Sequence, residues 1–332
     1  MTRFLQPLGI NLSLAAFGAA LVMASLFIGP AEIAPAEAVA ALFGDAGAIT
    51  AIVREIRLPR ALAAWLAGAC LGAAGAGLQG LLRNPLADPG VLGVSAAAAL
   101  GAVLAIYFNI AALVFWATPA AAIIFALGAT ALLYALGAGS VSTARLILIG
   151  VGLSSFCGAL ISLAMNLSPN PFALADLVNW MFGTVANRSF SDFALAAPFA
   201  GAGFVMIIAA APGLVALTLG EETAASIGAD LARTRALIIA GAAVLVGASV
   251  AVAGAIGFVG IVAPHLARAL AGQNPARILV PSLLIGGATL AFADLLIRIL
   301  PFDQELKLGV AAALIGAPAF VWVAATSKRI SS

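Results

Sequence analysis

The chain has 332 residues, of which 64% are hydrophobic and only 8% are charged, and its formal net charge is +2. Soluble proteins average about 25% charged residues, so composition excludes a soluble fold of this length. The small net charge gives no indication of nucleic-acid binding, and the mean hydropathy of +1.18 indicates an integral membrane protein with many spans.

Polar residues divide the chain into ten predicted transmembrane helices within a single all-α polytopic domain, residues 1–332. Residues 89–144 contain no charge in 56 positions, which is too long for one span and predicts two helices that turn near Asn109 or near Thr118-Pro119. A loop with short amphipathic helices follows the first span, and residues 168–192 are predicted to be a wet loop. The predicted spans cover approximately residues 8–28, 61–82, two segments of 89–144, 145–167, 193–217, 236–253, 257–270, 278–299 and 308–325.

An even number of spans puts both termini on one side of the membrane. With the termini in the cytoplasm, nine Lys and Arg residues lie inside and six outside, which agrees with the positive-inside tendency. Three of the outer charges, Arg54, Arg57 and Arg60, fall within seven residues. A docking partner with acidic side chains would explain such a cluster.

The second predicted span, residues 61–82, carries small side chains at every fourth position. They are Ala64, Gly68, Gly72, Ala76 and Gly80. Small residues at this spacing let another helix approach closely within lipid, so this helix is predicted to be buried among others. The span ends at residues 83–90, where Pro85 and Pro89 stop a helix and Asn84 and Asp88 favour turns.

Three motifs resemble one known family. The first runs Arg57-Leu-Pro-Arg60, then a Gly-rich helix with Gln79, then Arg-Asn-Pro-Leu-Ala-Asp-Pro-Gly-Val-Leu-Gly-Val-Ser at residues 83–95. The second is Gly-Ala-Ile-Gly-Phe-Val-Gly-Ile-Val-Ala-Pro-His-Leu-Ala-Arg at residues 254–268, and the third is Trp180-Met-Phe-Gly-Thr184. Together they resemble the FecCD family, the permease subunits of ATP-driven importers for iron–siderophores, haem and cobalamin.

The resemblance implies a type II importer permease fold in a bacterial inner membrane. It implies a homodimer, two ATPase subunits and a periplasmic substrate-binding protein as partners, although the sequence does not decide between a homodimer and a heterodimer. Gly68, Gly72, Gln79, Asn84 and Pro85 are assigned to helix packing and the translocation path. The chain itself binds no cofactor and is not an enzyme: it lacks a phosphate-loop motif, so ATP is used by the partner subunit.

In the family, arginines at the periplasmic face meet glutamates of the binding protein, which assigns docking to Arg57, Arg60 and Arg298. Arg57 and Arg60 have no acidic neighbour in sequence except Glu55, and this favours docking. Asp294 and Arg298 are four residues apart on a predicted helix, a spacing that also predicts an intrahelical ion pair.

A charged loop, residues 218–235, separates the sixth and seventh predicted spans and holds five charges. In the family this loop forms the coupling helices that contact the ATPase, although it is also typical of an ordinary solvated loop. Gly228 is the predicted stop of its short helix. The residues assigned to coupling are Glu221, Glu222, Ala225, Ile227 and Gly228.

Other classes have less support. A secondary transporter driven by protons or sodium would use Asp294 or Asp88. An intramembrane enzyme has no residue constellation, since His265 is the only histidine and Cys70 and Cys157 lie in apolar runs typical of buried structural cysteines. The sequence does not decide between siderophore, haem and cobalamin as substrate, with iron chelates favoured.

Overall fold

A computed structural model describes residues 8–44, 47–114, 116–136, 143–300 and 305–326. These residues form sixteen α-helices and no strand. The first eight are α1 Leu8–Phe27, α2 Pro35–Phe43, α3 Ala48–Ala51, α4 Leu58–Leu82, α5 Val94–Tyr107, α6 Ile110–Leu113, α7 Ala117–Leu136 and α8 Thr143–Asn166. The others are α9 Pro171–Met181, α10 Phe190–Ala209, α11 Ala211–Leu217, α12 Glu221–Ser226, α13 Leu231–Ala253, α14 Val259–Ala271, α15 Leu279–Ile299 and α16 Leu308–Thr326.

Ten of the described helical segments match the ten predicted spans. Seven are long and apolar enough to cross a bilayer by length and composition, and α5, α14 and α16 supply three shorter apolar segments. The predicted all-α polytopic fold is therefore confirmed. One of the two predicted turn positions is confirmed. The chain turns between α5 and α6 at Asn109, which has a left-handed φ of 58°. Both chain termini lie outside the described residues, so the side on which they lie stays a prediction.

The structure differs from the sequence prediction in three elements. α3, a π-helical turn over Ile52–Arg57 and α4 form one continuous helix, Ala48–Leu82, which begins well before the predicted residue 61. The wider π turn directly precedes Pro59, whose ring would collide with the carbonyl four residues earlier in a regular helix. The predicted wet loop contains α9, because the Asn170 side chain accepts a hydrogen bond from the Ala173 N–H and caps that helix. The sixth predicted span is divided into α10 and α11 at Ala210.

α4 is the centre of the bundle. It packs against α1, α10, α13, α14 and α15, and it is buried along nearly its whole length. The burial predicted from its small residues is confirmed. A second group, α5, α7 and α8, joins this centre through α13.

Glycines on α4 bring its backbone against two other helices. A methyl group at Gly68 would overlap the carbonyl oxygen of Gly286 on α15, and one at Gly72 would overlap the carbonyl oxygen of Ser282. Gly75, which is outside the four-residue repeat, meets the carbonyl oxygen of Gly260 on α14 in the same way. Backbone therefore packs on backbone at three successive levels of α4.

We expect Gly72→Ala to lower the stability of the full chain by about 1–3 kcal/mol, because the added methyl group forces α4 away from α15. Thermal unfolding in detergent measures the change. Gly158→Ala on α8 is the matched control, since among the described residues no atom outside its own stretch of helix lies within 4 Å of the position of its new methyl group. Equal unfolding temperatures for the two variants would contradict the packing described here.

Candidate functional site

A buried ionic cluster joins the beginning of α4 to the end of α15. Arg60 donates to one oxygen of Asp294 from Nη2 at 2.8 Å and from Nε at 2.9 Å. Arg298 donates to the other oxygen of the same carboxylate, and Arg60 also contacts Glu305. The Asp294 side chain is only 1% exposed, whereas Glu305 is 43% exposed. We call Arg57, Arg60, Asp294, Arg298 and Glu305 the arginine cluster.

Two members of the arginine cluster hold the end of α1. Arg57 donates to the carbonyl oxygens of Leu26 at 2.7 Å and of Ala31 at 2.5 Å. Arg298 donates to the Ser25 carbonyl oxygen at 3.0 Å. The last carbonyls of a helix have no partner within the helix, and a cation there is stabilising. These two arginines therefore supply donors to two of the last four carbonyl groups of α1, those of Ser25 and Leu26.

The predicted ion pair between Asp294 and Arg298 is confirmed. Arg60 has two acidic partners that its local sequence does not show, because Asp294 and Glu305 are 234 and 245 residues away in sequence. Arg57 is buried and bound to carbonyl oxygens rather than to a carboxylate. A docking role for Arg57, Arg60 and Arg298 stays a prediction, and the exposed charge of the cluster is Glu305.

A second polar site lies at the other end of α4. Gln79 donates to the carbonyl oxygens of Ala87 and Gly260, both at 3.2 Å, and accepts from Arg268 Nη2 at 2.5 Å. Gln79 thus ties the 83–90 turn to α14. Asn84 forms the turn by accepting from the Leu86 N–H at 2.9 Å.

These groups surround a cavity of about 1100 Å³. Of the residues assigned to the translocation path, Gln79, Asn84 and Pro85 line this cavity, whereas Gly68 and Gly72 face α15. We call it the Gln79 cavity. His265 also lines it, on α14.

The predicted coupling segment forms the short helix α12. Glu221 pairs with Arg235 at 2.7 Å, while Glu222, Ala225 and Ile227 are exposed. Gly228 has a φ of 81°, and the N–H of Ala229 donates to the Ala224 carbonyl, a pattern that ends the helix as predicted. Ile227 is 62% exposed, although it is apolar, and it follows directly after α12.

The remaining motif residues have structural contacts. The Thr184 N–H donates to Ala253 at the end of α13, and the Gly309 N–H donates to the Gly183 carbonyl, so the segment after α9 joins α13 to α16. Cys70 and Cys157 are buried free thiols. The described residues contain no group of three or more His, Cys, Asp or Glu side chains that could hold a metal ion.

The arrangement of the helices matches a permease of an ABC transporter. A solved inward-facing conformation of a metal-chelate type ABC transporter superposes with a TM-score of 0.80 at 30% identity, over 96% of this chain and 99% of that chain. PsaBC from Streptococcus pneumoniae in complex with Fab superposes with a TM-score of 0.54 at 17% identity, over 80% and 89% of the two chains, and shows the fold alone.

Sequence comparison gives the family. The model of the FecCD transport family matches residues 17–326. The uncharacterized ABC transporter permease protein YvrB of Bacillus subtilis is 36% identical over 285 residues, 84% of this chain and 80% of that protein. The vitamin B12 import system permease protein BtuC of Salmonella typhimurium is 37% identical over 278 residues, 83% and 84% of the two chains. The chain belongs to the FecCD transport family and is a multi-pass membrane permease subunit.

Sequence reasoning missed several residues of these sites. Arg54 donates to the carbonyls of Leu42 and Gly44 at the end of α2, a contact that its sequence position does not indicate. The contact between Gln79 and Arg268 joins the first and second motifs, a link that neither motif shows by itself. Both motifs are rich in glycine, and that shared composition is the signal that could have paired α4 with α14.

We expect Asp294→Asn to destabilise the chain by about 3–5 kcal/mol, because it leaves two buried guanidinium groups without their shared carboxylate. Glu305→Gln removes the same charge from an exposed position and should cost less than about 1 kcal/mol. Thermal unfolding of both full-length variants in detergent compares them. Similar losses in the two variants would show that Asp294 is not the residue that holds the cluster together.

Proposed function

We propose that this chain is the translocating subunit of an ATP-driven importer for a metal chelate, either an iron chelate such as a ferric siderophore or haem, or cobalamin. It works as a homodimer with two ATPase subunits and a periplasmic substrate-binding protein, and its termini lie in the cytoplasm of a bacterial cell. The family match across residues 17–326 carries the proposal, and the likeness to a metal-chelate type transporter supports it.

Reconstitution tests this function. The chain is co-expressed with an ABC ATPase and a substrate-binding protein of its own organism, and uptake of a ferric siderophore, haem and cobalamin into proteoliposomes is measured with and without ATP. We expect ATP-dependent uptake of one of these compounds. Uptake that follows an imposed proton or sodium gradient without ATP would instead support a secondary transporter.

The acidic residues that a secondary transporter would use have structural partners. Asp294 is salt-bridged to Arg60 and Arg298, so it is not free to exchange a proton or an ion with the path. Burial raises the pKa of Asp88, but its carboxylate accepts the Gly90 N–H at 2.8 Å and caps the turn Pro89–Leu92. These contacts favour the ATP-driven importer over the alternative.

Docking of a binding protein would use the face of the arginine cluster. Glu305 covers Arg60 on its exposed side, while Arg57 and Arg298 are buried against α1. An acidic side chain of the partner therefore competes with Glu305 for Arg60. Arg57 and Arg298 add positive charge to this face and hold α1 in place, whereas Arg60 contacts the acidic side chain of the partner directly.

We expect Glu305→Gln to tighten association with the binding protein about fivefold, because it removes the competing carboxylate and about 1 kcal/mol of repulsion. Affinity is measured by surface plasmon resonance with the full permease–ATPase complex at low and high salt. Glu55→Gln is the matched control, since Glu55 is exposed near the same end but makes no ion pair with Arg60 among the described residues. Weaker binding of the Glu305 variant would show that the partner uses Glu305 itself.

Coupling to the ATPase is assigned to α12 and the residues after it. Reversing both Glu221 and Glu222 would also break the Glu221–Arg235 pair, so that double variant confounds contact with folding. Ile227 gives a cleaner test because its apolar side chain is exposed on a charged segment. An exposed apolar residue with charged neighbours is typical of a protein contact surface.

We expect Ile227→Asp to abolish co-purification with the ATPase and ATP-dependent uptake while the permease itself stays folded. Phe172→Asp on α9 is the control, since Phe172 is equally apolar, 83% exposed and separated from α12 by the length of α10. Co-purification is quantified by tandem affinity capture. Unchanged ATPase recovery with Ile227→Asp would remove this segment from the interface.

A further inference from the structure

The segment before α16 is attached to the bundle at two points that differ in kind. We call residues 305–309 the strap. At its beginning, the Glu305 carboxylate contacts Arg60 on α4, and the Glu305 side chain is 43% exposed. At its end, the Gly309 N–H donates to the carbonyl oxygen of Gly183 at 3.3 Å. The strap therefore connects the arginine cluster to the segment that follows α9.

The attachment of the strap at Arg60 is exchangeable. An ion pair with an exposed partner contributes at most about 1 kcal/mol, because water solvates the charges when the pair opens. Arg60 donates to buried Asp294 from Nε and from Nη2, and these hydrogen bonds do not involve Glu305. A carboxylate from another protein can thus replace Glu305 while the rest of the arginine cluster stays in place.

The attachment of the strap at Gly309 is a close contact between backbones. A methyl group at Gly309 would overlap the carbonyl oxygen of Phe182, where α9 ends, and would lie 3.1 Å from the carbonyl oxygen of Ala255, which follows α13. A methyl group at Gly183 would lie 2.9 Å from the same oxygen of Ala255. The ends of α9 and α13 and the beginning of α16 thus meet backbone to backbone at one junction.

The strap also begins α16. The Lys307 carbonyl oxygen accepts from the N–H groups of Val310 and Ala311, each at 3.1 Å, and so starts the hydrogen bonding of the helix. α16 packs mainly on α14 and α15, and its other side leaves Leu314 and Ile315 exposed. Since one side of α16 has no support from the bundle, the tilt of this helix depends on where the strap is held.

A strained residue lies against α16. Phe258, between α13 and α14, has a positive φ of 68°, which is costly for a residue with a large side chain. A methyl group at Gly316 of α16 would lie 2.6 Å from the Cβ atom of Phe258. Strained backbone persists only where surrounding contacts hold it, and the contact with Gly316 is one of them. A movement of α16 therefore alters the backbone between α13 and α14.

We propose that the strap is an autoinhibitory contact, in which Glu305 holds α16 in a resting position until an acidic side chain of the substrate-binding protein replaces Glu305 on Arg60. Release of Glu305 lets the strap and α16 shift, and the junction at Gly309 transmits the shift to the ends of α9 and α13. This role rests on the proposed function, because it requires a binding protein that docks at the arginine cluster. Docking then acts as a signal within the permease as well as an attachment.

Release of the strap is measured first in the permease alone, so that no partner is needed. A nitroxide label is attached at Lys307→Cys, and its mobility is recorded by electron paramagnetic resonance with and without Glu305→Gln. Lys307 suits the label because it forms no ion pair among the described residues, and the native Cys70 and Cys157 are buried. Glu55→Gln is the control, since it removes an exposed charge near the same end that has no ion pair with Arg60 among the described residues.

We expect the label to become more mobile with Glu305→Gln and to stay unchanged with Glu55→Gln. The reason is that only the first variant removes an attachment of the strap. Equal mobility in both variants and in the parent chain would overturn the proposal, and it would do so whether or not the chain is an importer.

Basal ATP hydrolysis by the permease–ATPase complex is measured next, in the absence of the binding protein. We expect Glu305→Gln to raise it about two- to fivefold, the equivalent of roughly 0.4–1 kcal/mol for the loss of one exposed ion pair. Addition of the binding protein should then stimulate this variant less than it stimulates the wild type. Wild-type basal hydrolysis and stimulation in a variant that docks normally would overturn the strap and leave the proposed function standing. A wild-type complex without ATP hydrolysis or docking would overturn both.

Transmission through the junction is tested with Gly309→Ala, whose methyl group overlaps the Phe182 carbonyl oxygen. Gly257→Ala is the control, because among the described residues nothing beyond its chain neighbours lies within 4 Å of its added methyl group. We expect Gly309→Ala to dock the binding protein and to lose most of the stimulation of ATP hydrolysis. Equal stimulation in the two glycine variants would overturn the junction as the transmitting contact. The measurements on Glu305→Gln decide the proposal even where Gly309→Ala does not fold.

Discussion

Close contact between the backbone of α4 and the backbones of α14 and α15 is the constraint on which the other sites depend. Gly68, Gly72 and Gly75 each face a carbonyl oxygen of a neighbouring helix, so α4 has one allowed rotation and one allowed height against its neighbours. In lipid there is little gain from excluding water between helices, and such close packing is what holds them together. Since α4 carries Arg60 near its beginning and Gln79 near its end, the same contacts fix the positions of the arginine cluster and of the Gln79 cavity.

The buried charged side chains of this packed centre lie near its ends. Both ion pairs and hydrogen bonds to carbonyl groups stabilise them in the interior. Asp294 is shared between Arg60 and Arg298, while Arg57 and the Nη1 group of Arg298 donate to carbonyls where α1 ends. A charge that is both paired and hydrogen-bonded avoids most of the penalty of burial. Arg57 and Arg298 thus supply donors to two carbonyl groups at the end of α1 that have no partner within that helix.

The sequence predicts the helices far better than it predicts their contacts. Length and hydropathy define the ten spans, because the bilayer sets how many apolar residues a crossing needs. The four-residue repeat of small side chains predicts that α4 is buried, but not that Gly75 meets Gly260. Arg60 shows the limit most clearly: its local sequence contains only Glu55, while its real partners come from the other end of the chain. The π turn before Pro59 is also invisible to a hydropathy pattern, which therefore places the start of the second helix too late.

The unbroken helix Ala48–Leu82 has a mechanical consequence. Its 35 residues extend over about 52 Å at 1.5 Å per residue, compared with a hydrocarbon core of about 30 Å. The helix is therefore longer than the hydrocarbon core is thick, and the π turn over Ile52–Arg57 and Pro59 interrupt its regular geometry near one end. A tilt of about one degree moves one end of a rod of this length by about 1 Å relative to the other. Because the glycine contacts hold α14 and α15 against α4, and Arg57 and Arg298 hold the end of α1, we expect these four helices to tilt together and relative motion to occur at the borders with α10 and α13.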